Sequence, residues 1–293
     1  MGNSERHTMA PAARRTAPTG PFDHRGALAV LTAHRIDGLH AVDGDRGVLR
    51  RWIDVDDRPV ALALRVHADG VTIRTPADGT RGLEARIRQR VRGWFDLDAD
   101  IAAVDTALAA DPVIGPLVAA RPGVRITRFH SAYEAALFTV IGQQVSLSAA
   151  RLFGSRLIAA YGADPPDPAF AGGLRLLPPP RVVAGQPADE LRERIGLTRA
   201  RARTVLAVAA LFADLGDTRN LPDRATLGAA YGVGPWTLDY LAVRAGTDPD
   251  AFPAGDAVLR RALAARGADD PAAAAEAWRP WRSYAASRLW IQD

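Results

Sequence analysis

Strand-like patterns are confined to one short segment of this sequence, and that confinement restricts its fold more than any other feature. Bulky and partly β-branched residues fill Val48–Val55, and apolar residues alternate with alanine, arginine and histidine over 60–67. The dipeptide Asp69-Gly70 follows, and alternation resumes over 71–75. Two period-two segments joined by Asp-Gly predict a β-hairpin, so we expect a three-stranded antiparallel sheet here.

From residue 83 onward the spacing of apolar residues changes to that of helices. Leu83, Ile87, Val91 and Phe95 fall four apart, which predicts a helix with one apolar stripe. Beyond residue 101 no strand pattern is clear, and alanine and leucine recur at helical spacing. Helices are predicted over 101–120, 131–142, 147–161, 188–195, 199–214, 225–231, 235–245, 257–266 and 271–289. The proline-rich segment 163–187 is interpreted as a surface loop.

These patterns predict an α+β fold in three parts. Residues 1–20 lack periodicity and are interpreted as a disordered tail. Residues 21–112 are predicted to form a small N-terminal antiparallel α/β domain, with a short helix over 27–36 ahead of the sheet. Residues 113–293 are predicted to form an all-helical body. A chain of 293 residues is long enough for two domains with separate cores.

The basic residues are all of one type, since the chain has 37 arginines and no lysine, and it also has no cysteine. Without lysine there is no side-chain Schiff base and no Walker-type phosphate loop. Without cysteine, thiol nucleophiles, disulfides, iron–sulfur clusters and cysteine zinc sites are excluded. The formal net charge is only +4, so an anionic partner requires a local basic patch.

Five of these arginines lie in or next to the helix predicted from Leu83: Arg81, Arg86, Arg88, Arg90 and Arg92. The favoured interpretation is a solvated helix face, and direct contact with DNA is the alternative. No segment approaches the roughly twenty apolar residues that span a bilayer, and the first residues lack the apolar core of a signal peptide. We therefore expect a soluble cytoplasmic protein. The six histidines form no helical ligand pair, so no metal site is predicted.

A glycine-rich turn joins the helices predicted over 225–231 and 235–245. Gly232-Val-Gly234 allows the backbone to turn tightly and to approach a ligand closely. The helix that follows begins with free backbone amides, which favour an anion such as a phosphate. Such amides hold a nucleic acid without distinguishing its bases. The alternative is an ordinary turn between two helices.

Three further features carry candidate chemistry. Asp256 stands immediately before an amphipathic helix, where it is either a helix cap or a functional carboxylate. Gln143 and Gln144 join two predicted helices and serve either as capping groups or as a wedge. Four of the six tryptophans lie between residues 236 and 290. Trp278 and Trp281 are expected in the core.

Together, these stretches resemble the helix-hairpin-helix DNA glycosylases, most closely the bacterial DNA-3-methyladenine glycosylase II group. The similarity follows the chain in order through segments that include Phe22-Asp23, Phe95-Asp-Leu-Asp98, Ile141-Gly-Gln-Gln-Val-Ser146, Ile195-Gly-Leu-Thr-Arg-Ala-Arg-Ala202, Gly232-Val-Gly-Pro-Trp-Thr237, Phe252-Pro-Ala-Gly-Asp256 and Trp281-Arg-Ser-Tyr284. It implies a helical body of two lobes with the active-site cleft between them.

The resemblance assigns roles to individual positions. Asp256 falls on the catalytic aspartate. The base pocket is implied at Trp236, Tyr240 and Trp290. The hairpin that holds DNA is implied at Gly232, Val233, Gly234, Pro235 and Thr237, and the wedge that fills the gap left by a flipped nucleotide at Gln143 and Gln144. No cofactor is implied, although such hairpins often hold a monovalent cation on backbone carbonyls.

The implied function is excision of alkylated purines such as 3-methyladenine from double-stranded DNA, by a cytoplasmic monomer that in a bacterium is associated with the nucleoid. Members that cleave the strand carry a lysine where this chain has Trp236, so we expect a monofunctional enzyme that leaves an abasic site. A glycosylase for uracil, hypoxanthine or an oxidised purine, and a non-catalytic DNA-binding protein, are the alternatives. The chain departs from the family at Ala230-Tyr231, where Leu-Pro is usual, and at Val30 and His34.

Overall fold

The computed structural model describes residues 13–76, 82–167, 172–246 and 248–291. Its N-terminal part is a five-stranded antiparallel sheet with the strand order β1-β5-β4-β3-β2. The strands are β1 (Ala13–Thr16), β2 (His40–Asp43), β3 (Val48–Val55), β4 (Arg58–His67) and β5 (Gly70–Arg74). The predicted α+β fold class is therefore confirmed, with a sheet larger than expected.

The predicted hairpin is present and joins β4 to β5. His67 pairs with Gly70 at its tip, and Gly70 adopts a φ of 124°. A Cβ at Gly70 would lie 2.2 Å from the carbonyl oxygen of Thr16, so glycine is required by the close approach of β1 as well as by φ. A second tight turn joins β3 to β4 through Asp56 and Asp57, both at positive φ.

The prediction of three strands was wrong, because two short strands complete the edges of the sheet. β1 pairs with β5, and β2 pairs with β3. Residues 13–16 therefore do not belong to a disordered tail, while residues 1–12 of that predicted tail lie outside the described residues. Each added strand has only four residues and forms by pairing with another strand rather than through a pattern of its own. The partner of β2 is the next strand in the chain, whereas the partner of β1 lies more than 50 residues away.

The described remainder of the chain is helical apart from one isolated bridge between Ala163 and Leu176. The helices are α1 (His24–Ala33), α2 (Glu84–Trp94), α3 (Ile101–Leu108), α4 (Gly115–Ala120), α5 (Ala132–Gly142), α6 (Leu147–Tyr161), α7 (Pro180–Ala184), α8 (Ala188–Ile195), α9 (Arg199–Leu215), α10 (Arg224–Gly228), α11 (Pro235–Arg244), α12 (Ala257–Ala264), α13 (Pro271–Glu276) and α14 (Arg282–Ile291).

Two predicted helices are each divided in the structure. The segment 101–120 forms α3 and α4, separated by a turn in which the Asp111 carboxylate accepts from two backbone N–H groups. The segment 271–289 forms α13 and α14, because Pro280 has no N–H to donate. The predicted loop at 163–187 contains α7, which buries Val183 completely.

The core has three main parts, and α11 contributes to two of them. One part lies between the sheet, α1 and α2. A second is formed by the helices from α5 to α11 and includes Leu241. A third is formed by α3, α4 and the helices that follow α11, and it includes Val243. Residues on α11 therefore lie where the two helical cores meet. The predicted boundary between the two domains at residue 112 stays a prediction. α3 precedes that boundary in the sequence, and it packs in the third core together with later helices.

A buried ion pair joins the sheet to the helical part. Arg51 on β3 donates two hydrogen bonds to the Glu134 carboxylate on α5, at 2.9 and 2.5 Å. The side chains of both residues are almost fully buried. The Arg51 guanidinium also lies 5.4 Å from the centre of the Trp94 ring. This bidentate geometry satisfies a carboxylate that would otherwise be buried without a partner.

The arginines of α2 are largely engaged within the protein. Arg86 and Arg90 form ion pairs with Asp56, and Arg92 pairs with Asp98 while donating to the Thr16 hydroxyl. These contacts favour a structural role over direct contact with DNA. Arg81 lies outside the described residues. Within the described ranges, no helix is long and apolar enough to cross a membrane.

We expect Arg51→Met to lower the free energy of unfolding by about 3–5 kcal/mol, because it leaves the Glu134 carboxylate buried and unpaired. Urea unfolding monitored by circular dichroism measures this change. The double variant Arg51→Met/Glu134→Leu should recover most of the loss, since no buried charge remains. Arg50→Met is the matched control, because Arg50 is an exposed neighbour on the same strand. Equal losses for Arg51→Met and Arg50→Met would contradict this account.

Candidate active site

Asp256 is the N-terminal cap of α12 and is 93% buried, with 7% of its surface exposed. Its Oδ1 accepts hydrogen bonds from the backbone N–H groups of Val258 and Leu259, both at 3.0 Å. Aspartate is favoured at this position because it satisfies N–H groups that have no partner inside the helix. The capping role that the sequence suggests is therefore confirmed.

The same carboxylate also accepts hydrogen bonds from two indoles on other helices. Trp236 on α11 donates from Nε1 to Oδ2 at 3.0 Å, and Trp290 on α14 donates from Nε1 to Oδ1 at 3.1 Å. Four N–H donors thus surround one carboxylate, and together they offset the cost of burying its charge. An ordinary helix cap requires only the two backbone donors, so the indoles mark Asp256 as more than a cap.

Three aromatic rings form a continuous wall beside this carboxylate. The Trp236 and Tyr240 rings are stacked, with centroids 5.2 Å apart, and the Tyr240 and Trp290 rings meet edge to face at 5.4 Å. Trp236 and Tyr240 are four residues apart on α11, which places them on one face of the helix. Burial raises the pKa of Tyr240, and this hydroxyl therefore stays protonated.

The wall continues into a group of residues that the sequence interpretation did not assign. Arg244 lies one turn beyond Tyr240, and its guanidinium carbon is 5.9 Å from the Tyr240 ring centre and 5.1 Å from that of Phe129. Phe129 also meets the His34 ring at 6.3 Å. Burial, together with the positive charges of Arg244 and Arg151, lowers the pKa of His34 to about 3. His34 is therefore neutral at physiological pH.

The glycine-rich turn precedes α11 with the geometry that its residues require. Gly232 adopts a φ of 78°, and a Cβ there would lie 2.1 Å from Oγ1 of Thr204 on α9. Val233 is buried, Gly234 is the N-cap of α11, and Pro235 occupies its first turn. Thr237 is buried on the same helix. This arrangement leaves a helix N-terminus, a site that favours anions, at the surface.

The two glutamines differ in what they contact. The Gln143 side chain donates from Nε2 to the carbonyl of Gly232 at 3.0 Å and to Oγ1 of Thr237 at 2.9 Å, so it connects the end of α5 to the hairpin. Gln144 is exposed and adopts a left-handed φ of 55°. Its exposed position suits a wedge, whereas Gln143 is already engaged in positioning the hairpin. The wedge role stays a prediction for both.

Other residues near the site lie as follows. Tyr231, which departs from the family pattern, is 45% exposed and carries the Arg203 guanidinium 4.2 Å above its ring centre. Trp278 is fully buried and Trp281 packs against the same third core, as predicted. Within the described ranges, no three histidine or carboxylate side chains come together as a metal site.

Comparison with known proteins gives consistent similarities. Residues 15–131 match a family model described as the AlkA N-terminal domain. A probable bifunctional transcriptional activator/DNA repair enzyme AlkA of Mycobacterium tuberculosis is 36% identical over 281 residues, covering 92% of this chain and 55% of that protein. The chain therefore spans about half the length of that relative. The DNA-3-methyladenine glycosylase 2 of Escherichia coli is 28% identical over 278 residues, covering 93% of this chain and 95% of that protein.

The fold is also shared with a solved structure. A 3-methyladenine DNA-glycosylase from Archaeoglobus fulgidus has a TM-score of 0.75 and 18% sequence identity, and the match covers 95% of this chain and 96% of that one. The likeness therefore extends over the sheet and the helices together.

We expect Gly232→Ala to lower the free energy of unfolding by about 2 kcal/mol or more, because alanine adds strain at positive φ as well as a clash with Thr204. Thermal unfolding monitored by circular dichroism measures the loss. Gly234→Ala is the matched control, since its φ is −104° and a Cβ there has no atom within 4 Å, so it should lose no more than the roughly 1 kcal/mol by which an N-cap favours glycine over alanine. Similar values for the two variants would show that the turn does not depend on Gly232.

Proposed function

Since this chain belongs with the AlkA-type helix-hairpin-helix DNA glycosylases, we propose that it hydrolyses the N-glycosidic bond of alkylated purines, such as 3-methyladenine, in duplex DNA. The observation that carries this proposal is the Asp256 carboxylate, which two indoles hold at the edge of an aromatic wall. A helix cap alone does not need those indoles, and a non-catalytic DNA-binding protein does not need the wall.

In this proposal the damaged nucleotide leaves the helix and its base enters the space beside the aromatic wall. Extruding a nucleotide costs roughly a few kcal/mol, and it costs least for a damaged base. An N-alkylated purine in DNA carries a positive charge, and a cation over an electron-rich ring gains about 0.5–2 kcal/mol. Trp236, Tyr240 and Trp290 supply such rings, with the Tyr240 centroid 5.2 Å from that of Trp236 and 5.4 Å from that of Trp290. The wall therefore suits a flat, cationic base.

Asp256 would act on the sugar rather than on the base. As the glycosidic bond breaks, the sugar develops the positive charge of an oxocarbenium ion. A carboxylate beside that charge stabilises it and can accept a proton from the attacking water. Among the described residues, Oδ1 has three donors, whereas Oδ2 accepts only the Trp236 indole. Oδ2 therefore keeps a lone pair for the sugar or for the water.

The alkylated base needs little further help to leave. A purine that is already cationic departs as a neutral molecule, so the reaction needs neither an organic cofactor nor a general acid. We propose that the hairpin at 232–237 binds the phosphates of the DNA backbone, because backbone amides at the start of α11 face the surface there. A monovalent cation held by backbone carbonyls of this hairpin is part of the same proposal.

We further propose that the reaction stops at the abasic site. Strand cleavage by related enzymes proceeds through an imine between a lysine side chain and the sugar, and this sequence has no lysine. Trp236 stands where that lysine would lie, and its indole is hydrogen-bonded to Asp256.

We expect Asp256→Asn to reduce the release of methylated bases about 100-fold or more, because the charge that faces the developing cation is lost. Asparagine keeps the capping oxygen, so folding should persist. Single-turnover release of methylated purines from methylated duplex DNA measures the effect, and binding to an abasic-site duplex should be retained.

Asp270→Asn is the matched control for this variant. Asp270 caps α13 through hydrogen bonds from Ala272 and Ala273 at 3.0 and 3.1 Å, and those are the hydrogen bonds that its side chain makes within the described residues. The Asp270→Asn variant should therefore release bases at a rate within about twofold of that of the original protein, because an exposed helix cap has a small energetic effect. If the two variants lose activity to the same extent, Asp256 is only a helix cap.

We also expect borohydride to trap no enzyme–DNA adduct on a methylated duplex, since no lysine is available to form the imine. Gel electrophoresis after reduction, with a lysine-dependent glycosylase/lyase as the positive control, makes the measurement. The reaction should yield abasic sites that are cleaved only after alkali treatment. A strong adduct would contradict the monofunctional proposal.

A further inference from the structure

Arg244 is a buried cation that has no partner of opposite charge among the described residues. Only 6% of its surface is exposed, and its Nε is buried with no hydrogen-bond partner. Within the described part of the chain, its guanidinium forms no ion pair and donates no hydrogen bond; its recorded contacts are the faces of the Phe129 and Tyr240 rings. Since most buried arginines are paired or hydrogen-bonded, this one has donors left for a ligand.

The position of Arg244 places those donors at the end of the aromatic wall. Trp236, Tyr240 and Arg244 are spaced i, i+4 and i+8 on α11, so the guanidinium continues the row formed by the two rings. The Phe129 ring centre lies 5.1 Å from the guanidinium carbon, and the backbone N–H of Phe129 donates to the Arg244 carbonyl at 3.0 Å. A flat base lying along this wall would direct one edge towards the guanidinium.

We propose that Arg244 is a specificity-determining residue that donates hydrogen bonds to the carbonyl oxygen of the extruded base. This inference rests on the proposed glycosylase function. An arginine side chain has five N–H donors and no acceptor, so it can pair with a carbonyl oxygen but not with an amino group. Purines that carry oxygen at C6, such as 7-methylguanine, are then bound better in the transition state than purines that carry an amino group there.

Neighbouring groups leave this role to Arg244. His34 shares the Phe129 ring with it, but the pKa of His34 is about 3, so the imidazole adds no second positive charge. Three of the four donors to the Asp256 carboxylate bind Oδ1, and the lone pair left on Oδ2 is an acceptor, which cannot pair with a carbonyl oxygen. The Tyr240 hydroxyl stays protonated because burial raises its pKa, so it can both donate and accept and does not distinguish a carbonyl oxygen from an amino group.

Methylated duplex DNA supplies a matched pair of substrates for the test. It contains 7-methylguanine and 3-methyladenine, which are both cationic while attached to the sugar but differ at C6, with a carbonyl in one and an amino group in the other. Release of both bases is measured from the same sample by chromatography under single-turnover conditions, so the ratio of their rate constants is independent of the enzyme concentration.

We expect Arg244→Met to lower the rate constant for 7-methylguanine about tenfold or more while changing that for 3-methyladenine by less than about twofold. Methionine keeps an unbranched side chain between the two rings but has no donor. Arg244→Gln keeps amide donors without the charge and should restore part of the 7-methylguanine rate. Arg203→Met is the matched control: Arg203 also stacks on a tyrosine, but beside the hairpin, so both rates should change together.

A measurement on the unmodified protein covers the case in which the Arg244 variants do not fold. Quenching of tryptophan fluorescence by the free bases hypoxanthine and adenine compares a carbonyl with an amino group on otherwise similar neutral purines. We expect hypoxanthine to bind about tenfold more tightly.

Equal affinities for hypoxanthine and adenine, or an unchanged ratio of the two release rates in a folded Arg244→Met variant, would overturn this inference and leave the proposed function standing. An unmodified protein that releases neither methylated base would instead overturn the proposed function and this inference with it.

Discussion

The hydrogen bonds around the Asp256 carboxylate are the interaction on which the arrangement of this site depends. Two of its donors belong to the first turn of α12, one to Trp236 on α11 and one to Trp290 on α14. A buried carboxylate that lost one of these donors would incur part of its desolvation cost. The same bonds therefore cap a helix, fix two indoles and hold three helices in register, so stability and the geometry of the site cannot be separated here.

Local patterns in the sequence predicted most of the fold, because helices and tight hairpins are stabilised by contacts between near neighbours. The bounds of α6 and α8 match their predictions, and Asp69-Gly70 lies at the β4–β5 turn as expected. β1 could not be predicted in this way, and β2 is too short to show a pattern of its own although its partner is the next strand in the chain. Each is a four-residue segment whose conformation is imposed by a partner strand, which for β1 lies more than 50 residues away. The break between α13 and α14 was open to prediction from Pro280.

The candidate site was predicted in its main members through family resemblance rather than through local pattern. Asp256, Trp236 and Trp290 are far apart in the sequence, and only the packing of α11, α12 and α14 brings them together. The contacts of Gln143 with Gly232 and Thr237 are equally non-local. Arg244 is different, because its spacing from Trp236 and Tyr240 follows one face of a predicted helix. That local pattern is present in the sequence, and it places the three side chains in a row along one face of α11.

The contacts of the buried arginines give a structural reason for a chain that has arginine and no lysine. A guanidinium has five donors in one plane, so one side chain can connect several segments in a way that the ammonium group of lysine does not. Arg125 donates to backbone carbonyls of Thr19, Pro21, Asp96 and Ala99, and Arg288 joins Asp105 to the carbonyl of Arg121.

Arginines engaged in this way are largely unavailable to an external phosphate, which agrees with the small net charge and with a hairpin that would bind the DNA backbone through its amides. Arg244 departs from this pattern, because it is equally buried yet makes no such bond within the described residues. The other buried guanidinium groups, those of Arg51, Arg125 and Arg288, each bind a carboxylate or a backbone carbonyl, so the donors of Arg244 are best explained by a ligand that enters the site.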